Sequence, residues 1–91
     1  MARVWIPSLW RDELTGGHEE VEAEGDTLRQ IVASLEARYP GLGERLVDEG
    51  TGRLRPEIAG AVDGEIAVEG LRRAVRPDSQ IQFLPALSGG N

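Results

Sequence analysis

Few side chains in this sequence are equipped for chemistry. There is no cysteine, hence no thiolate nucleophile, disulfide or cysteine metal site, and with His18 as the single histidine a zinc site would need carboxylates alone. His18 stands beside Glu19 and Glu20 in a turn, where a solvated imidazole is the expected state over a weak metal ligand. Asp and Glu number 16, but no motif sets one beside a nucleophile, and no glycine loop lies between a strand and a helix to cradle phosphate. No catalytic residue and no metal site is therefore expected. What remains is backbone: Gly89-Gly90, behind Leu84-Pro85-Ala86-Leu87-Ser88. Lacking Cβ, a glycine pair can run extended through a channel too narrow for side chains. Taken alone, the same pair also reads as an idle tail.

Composition narrows the classes of partner. The 91 residues fit one small domain with one apolar core. A formal charge of −6 opposes a phosphate backbone or an anionic membrane surface, so neither nucleic acid nor membrane is expected as a partner. No apolar run approaches the roughly 20 residues of a membrane span and no signal-peptide block opens the chain, which points to the cytoplasm. All 10 basic residues are arginine. Arg72, Arg73 and Arg76 form the one local basic cluster, which either stays solvated or steers an acidic partner.

The elements that must position the tail follow from apolar period. Val4 and Ile6 alternate from Arg3 onward, with Pro7 marking an edge or an early bend. Thr15-Gly16-Gly17 signals a turn, after which Val21 and Ala23 share one face and Glu20, Glu22 and Glu24 the other, as in a half-buried hairpin strand. Trp5 and Trp10 are read as packing residues, the alternative being an exposed aromatic patch. The period then lengthens: Leu28, Ile31, Val32, Leu35 and Tyr39 predict a helix, with Thr27 and Gln30 at capping-box spacing and Pro40-Gly41 as the stop. Leu42 to Val47 suggests a helical turn, and Asp48-Glu49-Gly50-Thr51-Gly52 reads as a mobile loop. Ile58 to Val62 predicts a strand, Asp63-Gly64 a turn, and Ile66 with Val68 a strand answering across it. Leu71 and Val75 lead to a Pro77-Asp78-Ser79 turn. Gln80 to Leu84 is the last strand, with Ile81 and Phe83 on one face.

This order, closing on Ile81-Gln82-Phe83-Leu84-Pro85-Ala86-Leu87-Ser88-Gly89-Gly90, resembles the ubiquitin-like β-grasp sulfur carriers. The likeness includes Gly25-Asp26-Thr27-Leu28, Ile6-Pro7, Thr15-Gly16-Gly17, Leu35-Glu36 through Tyr39 to Gly41, and Glu44-Arg45-Leu46. Within the group, which also holds the molybdopterin synthase small subunit and the thiamine sulfur carrier, it is closest to the carrier of cysteine biosynthesis. The resemblance implies an α+β fold, a mixed sheet of about four to five strands packed on one main helix, with a β-grasp domain over 1–84 and an extended, flexible tail over 85–91.

It also implies a division of labour. The carrier is not an enzyme and binds no cofactor. An E1-like adenylating partner uses ATP to form an acyl-adenylate at the Gly90 carboxylate, and a sulfur donor converts it to a thiocarboxylate. Leu84, Pro85, Leu87, Ser88 and Gly89 are then the residues by which partners recognise the tail, with Leu84 and Leu87 as apolar anchors. The acceptor is a cysteine synthase, whose pyridoxal phosphate carries an aminoacrylate. A metal-dependent peptidase releases the product and serves C-terminal processing. That step matters here because Asn91 follows Gly90; either a peptidase removes Asn91 or it is foreign to the natural chain. The alternatives are the molybdopterin synthase small subunit, with the large subunit of that synthase as partner, and a protein modifier conjugated through Gly90. Asp63, where relatives tend to carry Asn, is expected to be a turn substitution without functional weight.

Overall fold

The structure is a computed structural model, and it describes residues 1–7, 10 and 16–85, for Pro85 the backbone alone. Strand β1 is Ala2–Trp5 and β2 is Glu20–Ala23. They pair antiparallel, Val4 against Val21, so their buried residues fall on one face. Helix α1, Leu28–Arg38, follows and buries Leu28, Ile31, Val32 and Leu35, the positions its period predicts. Thr27 caps it by accepting the Gln30 amide at 3.3 Å. The reciprocal bond goes elsewhere than in a capping box: Gln30 Oε1 accepts from the amide of Asp26 at 2.6 Å. At this point the chain is paired with a distant segment, Thr27 bridging to Ala74, while the Leu28 amide donates to the Arg73 carbonyl.

Helix α2 is Leu42–Leu46, entered through Gly41 at φ 106°. It has no side-chain cap of its own, and its entry is held from α1: the Glu36 carboxylate accepts the amides of Gly41 and Gly43. The stretch expected as a mobile loop, Asp48 to Gly52, is the connection of a small ribbon, β3 (Val47–Asp48) against β4 (Arg53–Leu54). Its turn is closed by Asp48, whose carboxylate accepts the Gly50 amide at 2.8 Å and whose carbonyl accepts that of Gly52 at 2.7 Å.

Strand β5 is Ile58–Val62 and β6 is Glu65–Ile66. Between them Asp63 (φ 53°) and Gly64 (φ 85°) form the left-handed pair that a two-residue hairpin needs. Val68, expected in β6, lies beyond it and is 91% exposed. A 3-10 turn, Gly70–Arg72, buries Leu71, and β7 runs Gln80–Pro85, one residue past the expected end. The sheet order is β2-β1-β7-β5-β6, with β1 and β7 parallel and the other pairs antiparallel. The first strand is thus interior, and Pro7 lies beyond its paired residues. One face of the sheet, with Val4, Val21, Ile81 and Phe83, closes over α1 in a single apolar core, onto which Trp10 and Tyr39 pack half-buried. No helix among the described residues is long and apolar enough to cross a membrane.

Candidate functional site: the base of the tail

The tail leaves from β7, and the sequence places that strand where it can hardly move. On its inner face Ile81 and Phe83 are 0% and 2% exposed. Burial of two such side chains contributes about 1.5–3 kcal/mol each. Its start is fastened three ways: the Arg3 amide donates to the Ser79 carbonyl at 3.0 Å, the Asp63 amide donates to the Gln80 carbonyl at 2.8 Å, and the Gln80 amide donates to the Asp63 carboxylate at 2.9 Å. Along its middle β1 lies on one side and β5 on the other, and at its end Leu84 and Pro85 are opposite Ala59 and Ile58.

Asp63 occupies the expected turn and also fastens the start of β7. Its second oxygen accepts the hydroxyl of Ser79, a residue 2% exposed, which in turn accepts the Arg76 amide. The Gln80 amide above all, helped by the Ser79 hydroxyl and the positive Arg76 and Arg73, outweighs desolvation and holds the Asp63 carboxyl below its ordinary 3.8. Arg73 clamps the neighbouring loop, with Nη2 2.7 Å from Glu65 and Nη1 3.4 Å from Glu69.

The outer face of the sheet, opposite α1, carries what a partner can reach. Leu84 is 41% exposed there, on the side of β7 opposite Phe83. Ala59 faces it from β5, and Ile66, 55% exposed, stands on the same face through its pairing with Ala61. Ile66 was legible only as a strand residue, and the pairing register alone turns it outward. Pro85 continues the strand and has no N–H to donate beyond it. Leu87, Ser88, Gly89 and Gly90, the other residues expected to form the site, lie outside the described residues. Among the described residues no group of three or more His, Asp or Glu could hold a metal ion. The geometry therefore offers a fixed strand end with Leu84 as an exposed apolar handle.

Comparison with known proteins agrees with this architecture. The ThiS family model matches residues 10–90. The sulfur carrier protein CysO of Mycobacterium tuberculosis is 38% identical over 90 residues, 96% of each chain. Among solved structures, a chain of the Amycolatopsis orientalis BexX/CysO complex superposes with a TM-score of 0.88 at 35% identity, covering 99% of this chain and 100% of that one. The small archaeal modifier protein 1 of Methanosarcina acetivorans shares the fold, with a TM-score of 0.77 at 24% identity over 98% of this chain and 95% of that one.

Proposed function

This chain belongs to the ThiS family, and from that membership we propose that it is a sulfur carrier serving cysteine biosynthesis. The observation that carries the reading is the likeness to a sulfur carrier across nearly the whole chain, together with the Gly89-Gly90 pair behind the last strand. The Gly90 carboxylate, freed of Asn91, attacks the α-phosphorus of ATP on an E1-like partner and expels pyrophosphate. Sulfide from a donor then adds to the acyl carbon and AMP leaves, so that a thiocarboxylate stands at Gly90. A cysteine synthase takes the sulfur, and a metal-dependent peptidase trims the chain. The carrier supplies no acid, base or metal to any of these steps.

What this chain supplies is presentation. Gly90 is the fifth residue beyond Pro85, so the reactive carbon stands no more than about 18 Å from the end of β7. An enzyme that takes Gly90 into its active site must therefore press against the body of the carrier, where Leu84 is available as an anchor. With neither cysteine nor lysine in the chain, those side chains cannot consume the activated end. Intact-mass analysis tests the reading: a form ending at Gly90, incubated with ATP, a sulfide source and the adenylating enzyme, gains the mass of one oxygen-to-sulfur exchange. An unchanged mass sinks it. Offering the charged form separately to a cysteine synthase and to a molybdopterin synthase large subunit ranks the pathways, and product from the second alone reverses the assignment.

A further inference from the structure

A groove of about 780 Å³ lies between the β3–β4 ribbon, the 3-10 turn and β5. Four arginines from three segments of the sequence meet on it: Arg29 from α1, Arg53 from β4 with Arg55 just after it, and Arg72 from the 3-10 turn. None of the four makes an ion pair with another described residue, whereas the neighbouring Arg73 pairs with Glu65 and Glu69. Two are oriented by backbone carbonyls, and Arg55 also borders Glu44, Asp48 and Glu49 on its other side. Arg29 Nη2 donates to the Gly52 carbonyl at 3.3 Å, and Arg55 Nε donates to the Glu44 carbonyl at 2.6 Å. Glu69 is the one carboxylate on the lining, and Arg73 already binds it. In a chain of formal charge −6 this concentration of positive charge runs against the whole.

The lining is apolar as well as basic. Ile58 is buried within it and Val68 stands 91% exposed. Ile58 is also the residue opposite Pro85, so the groove opens beside the strand end from which the tail departs. We propose that the groove docks an acidic segment of the enzyme that takes the tail, a stretch with at least two carboxylates and an apolar side chain between them. This rests on the carrier reading above. Planar guanidinium groups match carboxylates in paired hydrogen bonds, and Val68 gives the apolar side chain a seat. A nucleic acid fits less well, since the surrounding acidic body repels a polyanion and its backbone has nothing to place on Val68.

The test uses the form ending at Gly90 and the double variant Arg53→Glu/Arg72→Glu, with circular dichroism and melting as the check on folding. The adenylating enzyme is expected to show a KM about tenfold higher for the variant, with kcat unchanged and the salt dependence of KM reduced, because charges at an interface rim act on encounter. Arg53→Lys/Arg72→Lys retains most of the affinity. An unchanged KM in the folded double variant overturns the proposal. A binding measurement stands apart from activation: titrating the unmodified chain with a peptide of alternating Glu and Leu shifts the amide resonances of Gly52 and of Val68 to Leu71, and does so far less in the double variant. Absence of those shifts overturns the proposal, as does a stronger response of the same amides to an oligothymidylate. If the unmodified chain gains no mass at all, the carrier reading has failed, and the peptide titration still decides what the groove binds.

Discussion

The carboxylate of Asp63 accepts the hydroxyl of Ser79 at 2.9 Å, joining the tip of the β5–β6 hairpin to the start of the strand that carries the tail. Ser79 is buried, so its hydroxyl depends on this acceptor. Asp63→Ala removes it, together with the acceptor of the Gln80 amide, and puts alanine at φ 53°. We expect a loss of about 2–3 kcal/mol, measured by urea unfolding. Asp63→Asn keeps one acceptor oxygen and tolerates the left-handed conformation, so it costs less than half of that.

The same carboxyl makes stability depend on pH in a defined direction. Its proton affinity is lower in the folded chain than the ordinary 3.8, so the folded state favours the charged form. The stabilisation is complete above the unfolded value and is lost as pH falls through the folded one. Below about pH 4 the urea midpoint of the unmodified chain should therefore fall more steeply than that of Asp63→Asn, with the two curves converging at lower pH. Parallel curves would separate the carboxyl from acid unfolding.

Two neighbours on β7 separate stability from partner binding. Phe83→Ala empties a site at the centre of the core and is expected to cost about 3–5 kcal/mol. Leu84→Glu changes an exposed side chain and should leave unfolding within about 0.5 kcal/mol of the parent. Yet it places a charge on the apolar handle beside the tail, and a rise of about tenfold in KM for the adenylating enzyme is expected. Thermal melts and steady-state kinetics on both variants check the pair.

At Gly25 a side chain has no room. A Cβ there lies 2.8 Å from Gln30 Cβ and 2.9 Å from the Ile31 nitrogen, where the chain enters the first turn of α1. Backbone on one side of the contact cannot yield as a flexible side chain does. Gly25→Ala is expected to lose about 1–3 kcal/mol in urea unfolding.

Gly90→Ala, in a form without Asn91, tests the chemistry directly. The chain is expected to melt as the parent does, while thiocarboxylate formation falls at least tenfold as followed by intact mass. A lowered melting temperature would assign the glycine a structural part.

The readable parts of the fold are those with a repeating signal. Alternation in Val21–Ala23 and Ile81–Phe83, and steps of three and four from Leu28 to Leu35, report burial on one face, and those residues are the buried ones. The β3–β4 ribbon has two residues per strand and gives no period to read. The 3-10 turn at Gly70–Arg72 is equally short. Asp63-Gly64 was legible as a turn, whereas the contact of Asp63 with Ser79 spans 16 positions and leaves no local mark.

Neighbours in the chain are enough to dictate the order of the long elements and the inner face of each, because both depend on local period. The tertiary structure alone decided which strands are adjacent. Parallel pairing of β1 with β7 puts the first and last strands side by side in the sheet, with the tail leaving from an interior strand. Residues far apart in sequence then meet: Arg29, Arg53, Arg55 and Arg72 on one groove, next to the Ile58–Pro85 pair. Local period reports which side of an element is buried; it carries nothing about which other element the exposed side will face.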